Sequence, residues 1–149
     1  METVIFIGVQ ASGKSTFFHE RFENSHVRIN LDMLRTRHRE KLLIDACLEG
    51  KQPHVIDNTN PTKEDRAKYI PLAKSKGFRV VGYYFASKVD DCKLRNEQRG
   101  EDEQIPLAGL LGTYNRLQLP QHDEGFDALY YVSIADDGSF NIDEWNDEV

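Results

Sequence analysis

A glycine-rich segment near the start of the chain has the pattern of a phosphate-binding loop. Residues 8–15 have the sequence Gly-Val-Gln-Ala-Ser-Gly-Lys-Ser, which fits G-x-x-x-x-G-K-[ST]. Glycines let such a loop wrap a phosphate with its amide groups pointing inward, and the helix that follows adds its positive end. Lys14 would then reach the β- and γ-phosphates of a nucleotide, and Ser15 would bind Mg²⁺. The alternative is a plain glycine-rich turn, but the loop lies between an apolar segment and a helical one, as phosphate binding requires.

Two acids follow other predicted strands and are candidates for proton transfer and metal binding. Asp32 comes just after the second strand, at the same edge of the sheet as the loop, and could accept a proton from an attacking hydroxyl. Its position fits a structural acid in the first turn of a helix equally well. Asp57 ends the apolar run His-Val-Ile-Asp, and it either holds the water shell of a metal or pairs with Arg35.

Three arginines are candidates for binding phosphate charge. Arg35 follows Asp32 by three residues, hence lies on about the same helix face, and could hold an acceptor phosphate. Arg37, close by, is predicted to be solvent-exposed. Arg95 and Arg99 are four residues apart in a predicted helix, so they are expected to face the same way. They either close over ATP or form a solvated helix face.

Short apolar segments alternate with helical ones along the whole chain. Strands are predicted at 3–7, 26–30, 54–57, 78–85 and 129–134, and helices after residue 14 and at 31–48, 62–76, 88–99 and 105–117. Pro71 predicts a kink or a break within the segment 62–76. The alternation predicts right-handed β-α-β units and a mostly parallel sheet with helices on both faces. Such sheets bind ligands at the carboxyl ends of their strands.

Composition bounds the class of protein. The 149 residues, 39% hydrophobic and 30% charged, predict one globular domain over residues 1–149. The apolar runs are too short for a membrane span, and two cysteines without metal-type spacing fit a reducing, cytoplasmic location. These features argue against a membrane protein, a secreted disulfide scaffold and a structural zinc module. The net charge is −6, but residues 136–149 hold six acids and no Lys or Arg. The remaining body, residues 1–135, is therefore neutral, and charge does not decide for or against a nucleic-acid partner.

Taken together, these motifs resemble the kinase domain of polynucleotide kinases, from residue 8 to about residue 132. The segments that carry the resemblance are Gly8–Thr16, Asn30–Asp32, Ile56–Pro61, Arg95–Arg99, Ile105–Pro106 and Glu124–Asp127. The phosphate loop is common to many proteins, but the run Asp-Asn-Thr-Asn-Pro followed by paired arginines is much more selective. Two departures stand out: Leu31 replaces a frequent arginine, and Gln10-Ala11 replaces the usual Pro-Gly of the loop.

The resemblance implies a P-loop NTPase fold, with three α/β/α layers, a mostly parallel central sheet and a helical lid over about residues 88–118. It implies ATP and Mg²⁺ as cofactors, Asp32 as the base, Arg35 on an acceptor phosphate and Asp57 as the acid that supports Arg35. The implied catalytic residues are Asp32, Lys14, Arg35, Arg95 and Arg99. The implied ATP-binding residues are Gly8, Val9, Gln10, Ala11, Ser12, Gly13, Lys14, Ser15, Thr16, Arg95 and Arg99. The implied acceptor-binding residues are Asp32, Arg35, Asp57, Asn58 and Thr59. Mg²⁺ is expected on Ser15, with its waters held by Asp57 or Asp32.

The sequence thus predicts an ATP-dependent kinase that transfers the γ-phosphate to the 5′-hydroxyl end of RNA or DNA, as in nucleic acid repair. Because 149 residues leave no room for a phosphatase domain, any end-processing protein or ligase that acts with it is expected to be a separate chain. No membrane partner is expected, and the oligomeric state stays open. Two alternatives remain: a kinase of a small-molecule hydroxyl, and a nucleotide-dependent binding or switch ATPase.

Overall fold

The computed structural model describes residues 1–86, 88–101 and 104–146, with residue 89 described by its backbone alone. Part of the segment between the predicted helices at 88–99 and 105–117, and the end of the acidic tail, therefore lie outside the described residues. The strands are β1 (Glu2–Ile7), β2 (Val27–Ile29), β3 (His54–Ile56), β4 (Arg79–Phe85), β5 (Ala128–Ile134) and β6 (Phe140–Glu144). The helices are α1 (Lys14–Arg21), α2 (Leu31–Leu34), α3 (Arg37–Glu49), α4 (Lys63–Arg66), α5 (Ile70–Ser75), α6 (Val89–Glu97) and α7 (Leu107–Arg116). A 3₁₀ turn spans His122–Glu124.

The strands form one sheet in the order β2-β3-β1-β4-β5-β6. The first five are parallel, which confirms the mostly parallel sheet, and β6 runs antiparallel to β5. β1 is central, with Thr3 opposite His54 on one side and Glu2 opposite Arg79 on the other. The loop after β1 therefore emerges at the middle of the carboxyl edge, where ligands bind in sheets of this kind.

Side chains of β1 enter the cores on both faces of the sheet. Ile5 and Ile7 pack in the core that α3 and α5 cover, whereas Val4 and Phe6 pack in the core that α1 covers. All four side chains are fully buried. Alternate residues of a strand point to opposite faces, so a strand buried on both faces needs an unbroken apolar run. This explains why Val-Ile-Phe-Ile shows no alternation of polar residues.

The segment predicted as one helix at 31–48 is divided into α2 and α3. Arg35 ends α2 with a φ of 76°, a value that non-glycine residues rarely adopt and that no α-helix can contain. Thr36 then begins α3 as its N-cap, because its side-chain oxygen accepts a hydrogen bond from Arg39 N at 3.2 Å. Helical spacing therefore does not relate the residues of α2 to those of α3.

The segment 62–76 is also divided, as Pro71 predicts. α4 begins after the N-cap Thr62 and ends at Arg66, and α5 begins at Ile70 with Pro71 in its first turn. Proline fits the first turn of a helix because its missing N–H has no helical partner there. Within the described ranges, none of the helices has both the length and the hydropathy that crossing a membrane requires.

The segment after the turn at 136–138 forms β6 and packs behind the phosphate loop. The ring of Phe140 contacts that of Phe17 edge-on, with the centroids 5.1 Å apart. A Cβ added to Gly13 would lie 3.2 Å from both Phe140 and Ile134. β6 therefore supports the phosphate loop.

Candidate active site

The loop between β1 and α1 has the backbone shape that phosphate binding needs. Its φ angles are positive at Ala11 (63°) and at Gly13 (100°), the N-cap residue of α1. A Cβ added to Gly8 would lie 2.9 Å from Ser12 Oγ and 3.1 Å from Phe85 Cβ, so a larger residue here would have to displace its neighbours. Gly8 N donates to Thr59 O at 3.0 Å, which ties the loop to the turn after β3. Ala11 thus adopts a left-handed conformation that glycine would adopt without strain.

Lys14 lies inside the loop that it is expected to serve. Its ammonium group donates to Gly8 O at 2.9 Å and to Val9 O at 2.8 Å. Burial lowers the pKa of Lys14 to about 8, and the negative charge of Asp57 works against this shift. At neutral pH the side chain is therefore mostly a cation bonded to carbonyl groups, which can exchange them for phosphate oxygens.

A cleft of about 340 Å³ lies beside the loop at the carboxyl edge of the sheet. The predicted site residues that line it are Gln10, Ala11, Lys14, Ser15, Asp32, Asp57, Asn58, Thr59 and Arg99. Arg37 and Arg116 line it as well, although the sequence analysis did not place them there. The tertiary fold thus brings residues from the loop, the ends of β2 and β3 and the lid to one cavity.

The first turn of α2 is fastened to the end of β3, which fixes the backbone at Asp32. Asn30 caps α2 with its side-chain oxygen and donates from Nδ2 to Asp57 O at 2.7 Å. Leu31 N donates to Asn58 Oδ1 at 2.8 Å. The Asp32 side chain is exposed at the cleft. A hydroxyl in the cleft could therefore approach a carboxylate whose backbone is already held in place.

Asp57 pairs with Arg28, a residue that the sequence analysis did not single out. Arg28 donates from Nε to Asp57 Oδ2 at 2.7 Å and from Nη2 to Ser15 Oγ at 2.8 Å. In the sheet Arg28 lies opposite Val55, so Arg28 and Asp57 project from the same face. The sequence left open a pairing of Asp57 with Arg35; in the structure the partner comes from the strand next to β3.

Ser15 and Asp57 form a donor set that fits Mg²⁺. A hydroxyl and a carboxylate supply oxygen ligands, which this ion prefers. One guanidinium group, that of Arg28, reaches both oxygens at hydrogen-bond distance. A single cation can therefore be shared between the two residues.

Arg37 is held at the cleft by a buried acid. Its Nη1 donates to Glu40 Oε1 and to the Tyr69 hydroxyl, both at 3.0 Å. Glu40 is 4% exposed and also accepts from Tyr69 and from Asn58 Nδ2. Burial, together with the Glu40 carboxylate, raises the pKa of Tyr69 to about 12, so this hydroxyl stays protonated. Both arginine side chains are exposed, as predicted for Arg37, but of Arg35 and Arg37 only Arg37 lines the cleft.

The two lid arginines lie on different sides of the loop. Arg95 donates from Nε to Ala11 O at 2.7 Å and lines a separate cavity of about 90 Å³. Arg99 lines the main cleft instead. The helix spacing predicted that both face the same way, but α6 ends at Glu97, so helical geometry no longer relates Arg95 to Arg99.

The lid also bonds to the loop through Gln10, which stands where the family's loop usually has proline. Gln10 Nε2 donates to Thr113 Oγ1 at 3.0 Å, and the Thr113 hydroxyl donates to Gly109 O at 3.0 Å. Because that hydroxyl donates its one proton to Gly109 O, it is the acceptor in the bond from Gln10 Nε2. The bond connects α7 directly to the phosphate loop.

The turn at 58–61 is held from behind by a fully buried arginine. Arg66 donates from Nε and Nη2 to the two carboxylate oxygens of Glu124, at 2.8 and 3.1 Å, and from Nη1 to Asn60 O at 3.0 Å. Asn60 adopts a φ of 45° and donates to Phe6 O at 2.8 Å. Glu124 belongs to a segment that carries the family resemblance, which was the only sequence signal for this pair.

A comparison of the sequence with known families places the chain. The profile of the AAA domain family (AAA_33) matches residues 38–120, more than half of the chain. The chain belongs to the AAA domain family. The bifunctional polynucleotide phosphatase/kinase of Schizosaccharomyces pombe (strain 972 / ATCC 24843) is 31% identical over 130 residues, which cover 84% of this chain and 32% of that protein. The predicted resemblance to polynucleotide kinases is thereby confirmed. The chain spans about a third of the length of the curated relatives that it matches.

Solved structures support the fold of this AAA-family chain. Chaetomium thermophilum Kti12, in complex with ADP-AlF3, superposes with a TM-score of 0.67 at 16% identity and covers 88% of both chains. A gluconokinase from Sinorhizobium meliloti 1021 superposes with a TM-score of 0.61 at 19% identity, over 90% of this chain and 83% of its own. At these identities the likeness concerns the fold, and the predicted P-loop α/β fold is confirmed.

Proposed function

We propose that this chain is an ATP-dependent kinase that transfers the γ-phosphate of ATP to the 5′-hydroxyl end of RNA or DNA. The observation that carries the proposal is the single cleft lined by Lys14, Ser15, Asp32 and Asp57. The name of the Schizosaccharomyces pombe relative supports a polynucleotide as the acceptor. The cofactors in this proposal are ATP and Mg²⁺, and its setting is nucleic acid repair in the cytoplasm, alongside end-processing or ligase proteins.

Asp32 acts as the general base in the proposed reaction. Its carboxylate takes the proton of the 5′-hydroxyl while that oxygen forms a bond to the γ-phosphorus. The bond between the γ-phosphorus and the β–γ bridging oxygen breaks, and ADP leaves. Lys14 and Arg99, which line the cleft, stabilise the charge that spreads over the transferring group, because phosphoryl transfer depends mainly on positioning and electrostatic stabilisation. Arg95, the other predicted lid arginine, acts from outside the cleft and supports the phosphate loop through its bond to Ala11 O.

The hydroxyl of Ser15 would hold Mg²⁺, with Asp57 or Asp32 binding its waters. When bound, the ion neutralises phosphate charge and orients the β- and γ-phosphates. The protein groups around it are already organised, since Asp57 is 2% exposed and bonded to Arg28 at 2.7 Å. The backbone amides of the phosphate loop and the positive end of α1 complete the phosphate site.

For the acceptor phosphate, Arg37 is our first choice. Its side chain, although 55% exposed, lines the cleft and is held by Glu40 and Tyr69, whereas Arg35, which the family resemblance indicates, does not line the cleft. An arginine held by a buried acid loses less conformational entropy on binding than a free surface arginine. Asn58 and Thr59 complete the acceptor side of the proposed site.

A small-molecule acceptor is the second candidate, because the volume of the cleft is compatible with a small ligand. A cavity of about 340 Å³ is within the range of sites that enclose small ligands. A nucleoside-sized group fits such a space, with or without a longer polynucleotide attached. The acceptor must therefore be decided by comparing substrates that differ only beyond the reacting nucleoside.

The test measures transfer of labelled γ-phosphate from ATP·Mg²⁺ to a 5′-hydroxyl oligonucleotide, to the matching nucleoside and to water. Asp32→Asn should lower transfer by about 10²–10⁴-fold, because general bases contribute that much, while ADP binding is kept. Asp45→Asn is the matched control, since Asp45 lies on the surface in an ion pair with Lys41.

Three other outcomes would redirect the proposal. Transfer to nucleosides or other metabolites but not to oligonucleotides would establish the small-molecule kinase. Slow hydrolysis to water without any phosphorylated acceptor would favour a nucleotide-dependent switch. An Asp32→Asn variant with near wild-type turnover would refute the assignment of the base.

A further inference from the structure

The Arg28 guanidinium is positioned at the same two residues that would serve the metal. Its Nε bonds to Asp57 Oδ2 at 2.7 Å, and its Nη2 bonds to Ser15 Oγ at 2.8 Å. Arg28 side-chain exposure is 25%, and that of Asp57 is 2%. The ion pair between Arg28 and Asp57 is thus mostly shielded from water, whereas the bond from Arg28 to Ser15 faces the solvent.

The sheet and α1 together force Arg28 into this position. In β2, Val27 and Ile29 project to one face of the sheet, so Arg28 projects to the other, where α1 packs. Its guanidinium carbon lies 5.7 Å from the centroid of the Phe18 ring. A ring at this distance attracts a cation and adds to the hold of Asp57.

We propose that Arg28 is a resident cation that occupies Ser15 and Asp57 in the nucleotide-free chain and must release Ser15 when a divalent metal binds. The inference rests on the proposed nucleotide-binding role of the loop and concerns the metal requirement alone. Arg28 would thereby weaken the coupling between nucleotide and metal. It would also keep Asp57 paired, because a buried carboxylate without a partner is strongly destabilising.

The physical basis is competition between cations for the same oxygens. The hydroxyl of Ser15 accepts from Arg28, and a metal on that oxygen would bring two like charges close together. The repulsion is weakest if Arg28 swings away from Ser15 and keeps its bond to Asp57. Without metal, by contrast, the positive charge of Arg28 beside the loop favours the phosphates of ADP. Arg28 therefore raises the affinity of the chain for metal-free ADP and lowers the increase in ADP affinity that the metal brings.

The experiment measures the dissociation constant of ADP by isothermal titration calorimetry, once in EDTA and once in Mg²⁺. The ratio of the value in EDTA to the value in Mg²⁺ gives the gain in affinity that the metal brings, and this ratio is compared between variants. Arg28→Gln should increase the Mg²⁺-dependent gain in affinity by about tenfold, within the usual range of coupling between two ligands. Arg21→Gln is the matched control. Arg21 also has its guanidinium near a ring of α1, 5.3 Å from the Phe17 centroid, and its ratio should equal that of the wild-type chain.

Arg28→Lys guards against loss of fold in the first variant. Its ammonium keeps a positive charge beside Asp57 but lacks the planar fork that reaches two partners, so the ratio should rise in the same direction as in Arg28→Gln. An unchanged or smaller ratio in a folded Arg28 variant would overturn the proposal. Absence of ADP binding by the wild-type chain would overturn both this proposal and the nucleotide role. Failure to phosphorylate an oligonucleotide with ADP still bound would refute only the proposed acceptor.

Discussion

Replacing Arg37 and Arg35 one at a time distinguishes the geometry of the cleft from the family resemblance. The resemblance assigns the acceptor phosphate to Arg35, and the lining of the cleft favours Arg37. Arg37→Gln should lower kcat/KM for a 5′-hydroxyl oligonucleotide and leave the KM for ATP unchanged. Arg35→Gln should have a small effect on both.

The size of the effect follows from the contacts of Arg37. Both of its bonds to Glu40 and Tyr69 use Nη1, which leaves Nε and Nη2 as donors for a phosphate. A hydrogen bond to a charged group contributes about 1.5–3 kcal/mol. At 1.36 kcal/mol for each factor of ten, the loss in kcat/KM is about 10–150-fold. Arg35 does not line the cleft, so it is expected to contribute no more than a surface ion pair, about 0–1 kcal/mol, hence a loss of less than about sixfold.

The assay compares two acceptors, a dinucleotide with a free 5′-hydroxyl and the corresponding nucleoside, which has no phosphate. Arg37→Gln should affect the dinucleotide only, because the nucleoside has nothing for the guanidinium to bind. An equal loss for both acceptors would mean that Arg37 maintains the shape of the site, through Glu40 and Asn58. A larger loss in Arg35→Gln than in Arg37→Gln would refute our reasoning from the cleft and support the family assignment.

Two further predictions concern Lys14 and Arg66. The pKa of Lys14 in the free chain is lowered to about 8, so above pH 8 the binding of phosphate must restore its proton. The affinity for ADP should therefore fall about fivefold from pH 8 to pH 9. Binding should take up about 0.9 proton at pH 9 and about 0.1 proton at pH 7. Calorimetry in buffers of different ionisation enthalpy measures this proton uptake. The uptake should vanish in Lys14→Arg, and equal uptake at pH 7 and pH 9 in the wild-type chain would contradict the assignment. Arg66→Ala should lower the free energy of unfolding by about 3–5 kcal/mol in urea titrations, because it leaves the carboxylate of Glu124 without its buried partner. Lys74→Ala, which removes an exposed pair with Asp127, should cost less than about 1 kcal/mol, and similar losses in the two variants would show that burial of the Arg66 pair is unimportant.

Features set by neighbouring residues were predictable from the sequence. The phosphate loop, the unbroken apolar run of β1 and the break at Pro71 depend on backbone sterics, side-chain periodicity and capping, which act within a few residues. The alternation of strands and helices also predicted the parallel sheet, since a crossover between parallel strands has one favoured hand. Asp32 and Asp57 were placed at the sheet edge for the same reason.

Only the tertiary structure decided which of these side chains meet. Arg28 reaches Asp57 because β2 and β3 are neighbours in register, and sheet order is not encoded in any short segment. Arg37 rather than Arg35 lines the cleft because the chain turns at a single residue of positive φ, which periodicity cannot show. The pairing of Arg66 with Glu124 joins residues 58 positions apart. A charged side chain that the fold buries is strongly destabilising unless an oppositely charged side chain is buried beside it. Which two side chains are buried together depends on the whole fold and not on neighbouring residues.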